Sequence, residues 1–168
     1  ARALAERVGA HMMSVSPVLH HWGIELVSIG PGASTMTMTI REDMANLHRQ
    51  CHGGVLFTMA DGCFGFASNS YNERTVAASC DIRYLKPAEI GDVVTAKAVE
   101  IWKKGRSGLY DVTIANQNGE KVAIMRAHSR NTSGTHIDCL HFQLRLALPG
   151  QANRFSRPDF NCTGLPSN

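Results

Sequence analysis

The sequence has no long apolar run. Nowhere do about 18 apolar residues follow one another, and the first residues show no basic start leading into an apolar core. Neither membrane insertion nor secretion is therefore expected. Paired cysteines are missing too. Cys51, Cys63, Cys80, Cys139 and Cys162 are odd in number, widely spaced and without a C-x-x-C. That pattern suits free thiols in a reducing cytoplasm better than a disulfide frame. Charge of one sign is scarce: 17 Lys and Arg stand against 14 Asp and Glu, scattered, for a net +3. No stripe of basic residues exists to grip nucleic acid. No internal repeat is evident.

What is present is a chain of 168 residues with an ordinary hydrophobic fraction of 43%, enough for one domain with a substantial core. Its centre of gravity is the run from Asn46 to Phe66. After His52-Gly53-Gly54 the residues look helical and apolar on nearly every side, with Val55, Leu56, Met59, Ala60, Cys63 and Phe64 among them. A helix apolar all round belongs in a core or a membrane, and this one is too short and too rich in glycine to span a bilayer. One carboxylate, Asp61, interrupts it. An acid in such surroundings is either partnered or has a job. The small residues at the helix start leave backbone N–H groups open at the positive end of the helix dipole, a setting that suits a developing anion.

Around this helix the pattern is that of strands. Residues 1–13 and 16–22 read as helical, with Pro17 in a first turn. Strands are expected at 24–29, 34–40, 76–85, 93–102, 108–115 and 121–129, with turns at Gly30-Pro31-Gly32, Lys103 to Arg106 and Asn118-Gly119. Two strands, a helix and four strands joined by hairpins make an α+β layer: an antiparallel sheet curled around one long helix. The working domain is expected over 1–134. The tail, 135–168, reads as irregular, with a short helix at 140–148.

Asn46, His52-Gly53-Gly54 and Asp61, followed by Val76 to Cys80, Leu85-Lys86-Pro87, Gly91-Asp92, Gly108 to Asp111 and Val122-Ala123, resemble the hot-dog-fold acyl-CoA thioesterases, in particular the phenylacetic-acid-degradation (PaaI-like) family. The likeness covers roughly residues 16 to 133. It implies hydrolysis of an acyl-CoA, with an aromatic acyl group such as phenylacetyl or hydroxyphenylacetyl. No metal or redox cofactor is implied, since coenzyme A is itself part of the substrate. The site residues follow position by position. The Gly53 N–H would hold the thioester oxyanion, and Asp61 would activate water or attack directly. Asn46 would orient the carbonyl or the loop before the helix, Ser79 would hold the water beside Asp61, and His52 would shape the oxyanion site. Gly54 and the cations Lys86, Lys103, Lys104, Arg106 and Arg130 are candidates for binding the substrate, the cations for its phosphates.

A geometric check adds a partner. Eight residues of helix separate Gly53 from Asp61, so they stand roughly 12 Å apart along the axis and cannot both touch one thioester carbon. Two subunits with antiparallel helices would bring Gly53 of one beside Asp61 of the other. The resemblance implies the same: a homo-oligomer with shared sites, as a dimer and a dimer of dimers.

Competing readings are weaker. His48, Cys51 and His52 suggest zinc by spacing but lack a fourth ligand. Cys63 is expected to be buried, without a base to make it a nucleophile. A hydratase on this fold would show a His soon after Asp61, and Gly62 to Phe66 contain none. A non-catalytic acyl-CoA sensor is the remaining alternative; it would not need Asp61.

Overall fold

A computed structural model describes residues 1–138; the short helix expected at 140–148 and the rest of the tail lie outside the described residues. The elements run α1 (Arg2–Ser14), α2 (Pro17–Trp22), β1 (Glu25–Gly30), β2 (Ala33–Thr39), a single 3-10 turn (Glu42–Met44), α3 (Gly53–Asn69), β3 (Thr75–Tyr84), β4 (Val93–Lys104), β5 (Ser107–Ala115) and β6 (Lys121–Asn131). Only the 3-10 turn had no counterpart in the sequence pattern. The six strands form one antiparallel sheet in the order β1-β2-β4-β5-β6-β3, and α3 lies across its inner face.

Strand alternation explains why the sheet holds that helix. Ser34, Met36 and Met38 on β2, Val94, Ala96 and Ala98 on β4, Tyr110, Val112 and Ile114 on β5, and Ala123, Met125 and Ala127 on β6 are all buried, every second residue along each strand. Against them lie Leu56, Met59, Ala60, Cys63, Phe64 and Ala67 of α3. The alanines let strands and helix approach closely. Two polar groups in this core are satisfied: Ser34 Oγ donates to the Cys63 carbonyl at 2.6 Å, and Tyr110 Oη donates to Glu100 at 2.7 Å. An unmade bond at either place would cost the group's full desolvation. Phe64 meets Tyr110 edge-on, ring centroids 5.4 Å apart, a favoured aromatic geometry.

The two sheet edges differ. α1 packs against the core-facing side chains of β1, with its Ala5, Val8 and Gly9 buried, and a methyl on Gly9 would stand 3.0 Å from Ile29. β3 is the other edge and is largely exposed, with Val76 at 52% and Tyr84 at 51%. A long open edge invites pairing with another chain. A bulge between Ala77 and Ser79 shifts the parity of this strand. Beyond it, Cys80 and Ile82 pack against the core and Tyr84 reaches α3, while Ser79 and Asp81 pair with the outward-facing His128 and Arg126.

The packed unit continues past the boundary expected at 134. Asn72 accepts from the N–H groups of His136 and Ile137, each at 3.1 Å. Arg74 Nε donates to the Thr135 carbonyl at 3.0 Å, and His136 Nε2 meets Asn69 Oδ1 at 2.6 Å. This strap fastens the end of β6 across the C-terminal end of α3. Among the described residues no helix is long and apolar enough to cross a membrane.

Candidate active site

The N-terminus of α3 is built to present one donor. His52 precedes the helix in an extended conformation, and its Nδ1 accepts the Gly54 N–H at 2.9 Å. That bond fixes the tautomer, with the ring proton on Nε2. The N–H groups of Val55 and Leu56 point to the His52 carbonyl. The Gly53 N–H has no acceptor among the described residues. It stands free at the positive end of a 17-residue helix.

Tyr84, which the sequence pattern presented only as the end of a strand, holds this glycine from outside. Its hydroxyl donates to the Gly53 carbonyl at 2.8 Å. The ring lies so close that a Cβ on Gly53 would stand 3.0 Å from Cζ. Asn46 organises the loop ahead of the helix. Its Oδ1 accepts from the N–H groups of His48 at 2.8 Å and Gln50 at 3.2 Å, and Arg49 is turned to a left-handed φ of 60° inside that loop. Of the two roles expected for Asn46, the loop is the one the hydrogen bonds display.

Asp61 sits mid-helix, half-buried, and makes no hydrogen bond or ion pair among the described residues. Burial alone pushes its carboxyl above the usual aspartate range, because a charged form is disfavoured away from water. Cys80 lies within electrostatic reach of it. Its thiol is held up first by burial and then by the charge of Asp61. The bulge hides from the sequence pattern that Cys80 turns toward the core. The same bulge corrects Ser79: its hydroxyl bonds His128 Nδ1 at 3.0 Å on the outer face of the sheet, the face turned away from α3 and Asp61.

The five candidate cations do not form one patch. Lys86 follows β3 near the start of α3 and pairs with Glu120 at 2.5 Å. Lys103, Lys104, Arg106 and Arg130 lie at the opposite end, around the β4–β5 hairpin. Lys103 is tied to Glu73 at 2.9 Å and lies over the Tyr71 ring, and Arg106 Nε donates to the Asn131 carbonyl. Lys86, Lys103 and Arg106 are thus already engaged within the chain. Cys63 is buried, with its thiol pushed up to about 11, so it is no nucleophile. Among the described residues no group of His, Cys, Asp and Glu is placed to hold a metal ion.

The chain is 40% identical over 113 residues to the acyl-coenzyme A thioesterase PaaI of Escherichia coli (strain K12), a match covering 67% of this chain and 81% of that protein. The thioesterase superfamily profile matches residues 48–123. The chain belongs to the thioesterase superfamily. Superposition agrees: the structure of E. coli PaaI from the phenylacetic acid degradation operon matches with a TM-score of 0.79 and 35% identity, covering 80% of this chain and 97% of that one. A Streptococcus mutans protein solved with acetyl-CoA bound matches with a TM-score of 0.65 and 26% identity, over 67% of this chain and 90% of that one. This thioesterase is therefore a hot-dog protein and a thioester hydrolase acting on acyl-CoA.

The raised carboxyl of Asp61 sets a pH expectation. If its ionised form does the work, activity falls as pH drops through a value above the ordinary 3.8. A profile of kcat/KM against pH is expected to show its acid limb displaced upward from that value. An acid limb at or below it would remove Asp61 from the rate-limiting step.

Proposed function

We propose that the enzyme hydrolyses arylacetyl-CoA esters, phenylacetyl-CoA or a ring-hydroxylated relative, in active sites each shared by two subunits of a homodimer. The observation that carries the shared site is a pair of groups on α3 with no partner among the described residues: the Gly53 N–H and a half-buried Asp61, roughly 12 Å apart by helical rise. Neither is useful alone, and one chain cannot bring both to a single carbonyl. An antiparallel neighbour closes that gap twice, and the exposed edge of β3 offers the surface for such a neighbour. Similarity to PaaI favours the aromatic acyl group.

In the chemistry that follows, the Gly53 N–H of one subunit binds the thioester oxygen as it gains charge, worth about 10²–10³ in rate for a single donor. Asp61 of the partner subunit takes a proton from water as the water attacks the carbonyl carbon, or attacks that carbon itself and is released by water afterwards. The C–S bond breaks, and CoA leaves as the thiol after taking up a proton. The only coenzyme involved is the CoA of the substrate. Free Cys51, Cys63 and Cys80 accord with a reducing cytoplasm.

Release of CoA thiol from phenylacetyl-CoA and 4-hydroxyphenylacetyl-CoA tests this reading. Turnover of both, well above that of a long-chain acyl-CoA, is expected. Tight binding of these esters without hydrolysis would contradict it, as would a preference for long aliphatic chains.

A further inference from the structure

Beside the mouth of α3 lies a cleft to which neither the oxyanion donor nor the base belongs. It is an open groove of about 310 Å³ between α2, the 3-10 turn and the start of α3. Trp22, Met44 and Val55 give it apolar walls, and His52 and Gly54 border it on either side of the residue with the free N–H. Asp43, with a largely exposed carboxylate, borders it as well.

That carboxylate is held in place. Arg41 grips both of its oxygens, Nε to Oδ1 and Nη2 to Oδ2, each at 3.0 Å. The same guanidinium donates to the carbonyls of Trp22 at 3.0 Å and His21 at 3.2 Å. Arg41 therefore ties the acid to the short helix that carries the indole. Hydrogen bonding to Arg41 also keeps Asp43 below the usual carboxylate range, so at neutral pH it is ionised and only accepts hydrogen bonds.

We propose that this cleft is the acyl subsite, in which Trp22 packs against an aromatic ring and Asp43 accepts a hydrogen bond from a ring hydroxyl. The proposal rests on the thioesterase reading and deepens it. A cavity of about 150 Å³ is enough for a benzene ring, so this cleft has room for a ring with its linker and a substituent. It stands at the low end of ligand-pocket volumes. The position is right for the reaction: an acyl group whose carbonyl rests on the Gly53 N–H needs only to turn past His52 or Gly54 to enter. The Arg41-paired carboxylate keeps lone pairs free to accept a hydrogen bond from a phenol.

The test compares kcat/KM for 4-hydroxyphenylacetyl-CoA, phenylacetyl-CoA and butyryl-CoA in the wild type and in Asp43→Asn, Trp22→Ala and Trp22→Phe. Asp43→Asn is expected to lower the hydroxylated ester about tenfold and leave the other two within about twofold. Trp22→Ala is expected to lower both aryl esters and spare butyryl-CoA, and Trp22→Phe, which keeps a ring, to retain most of the aryl activity. Equal losses on all three esters, or unchanged preferences in every variant, would overturn the subsite. Asp43→Asn decides the matter even if Trp22→Ala fails to fold. A wild type that cleaves none of the three esters would instead overturn the thioesterase reading itself.

Discussion

Asp61→Asn is expected to slow release of CoA by about two orders of magnitude or more, with little change in KM. Asparagine keeps the shape of the side chain and removes both the base and the nucleophile. The loss is chemical and not structural, and stability shows the difference. Burial raises the folded-state pKa of Asp61, so the folded protein favours the protonated acid. The stabilisation this gives is complete below the unfolded-state value and is lost as pH rises through the folded one. At neutral pH the ionised carboxylate is the less comfortable species, and the neutral amide removes that strain. The variant is therefore expected to melt at the same temperature as the wild type or higher at pH 7, while being nearly inactive. An active site that stores instability in this way is a common trade between stability and function. Thermal melts and single-turnover assays on the same preparation check both halves; a variant that loses activity only because it melts lower would refute the role.

Gly53→Ala is expected to reduce kcat by a factor of about 10²–10³, the usual effect of losing one oxyanion donor. The conformation of Gly53 is helical, so the cause is contact and not backbone strain. The added methyl would stand 3.0 Å from Tyr84 Cζ and 3.2 Å from its Oη, closer than such atoms rest. The Tyr84 side chain is half exposed and gives way, taking with it the 2.8 Å hydrogen bond that fixes the Gly53 carbonyl. The N–H then loses both its open approach and its fixed direction. Tyr84→Phe combined with Gly53→Ala separates the two effects. If the donor's direction is what matters, the double variant is no worse than Gly53→Ala alone. Full activity in Gly53→Ala would place the oxyanion elsewhere.

The central helix and the succession of strands along the chain were legible because each is written locally. An apolar run without a polar face has to be covered, and a single acid inside it stands out. The ends of the six strands lie within two residues of the sequence reading, since Gly and Pro mark the turns. What could not be read depends on register and distance. Nothing in Val76 to Cys80 announces a bulge, yet that one extra residue exchanges the faces of Ser79 and Cys80. Tyr84 meets Gly53 across 31 positions of sequence, and Lys103 meets Glu73 across 30. Both pairings exist only once the sheet has curled around the helix. The cleft at Trp22 and Asp43 is likewise assembled from three separate segments, one of them a 3-10 turn that leaves no periodic trace.

The shared site is tested most directly by mixing two dead enzymes. Asp61→Asn and Gly53→Ala, each inactive alone, are unfolded together and refolded, or co-expressed with different tags and purified as the mixed species. If each site takes Gly53 from one subunit and Asp61 from the other, a mixed dimer holds one site with both groups intact and one with neither. Half of the wild-type activity per dimer is then expected to return. If each site is built within a single chain, every site in the mixture lacks one group. Activity no greater than that of the two variants alone would contradict the account.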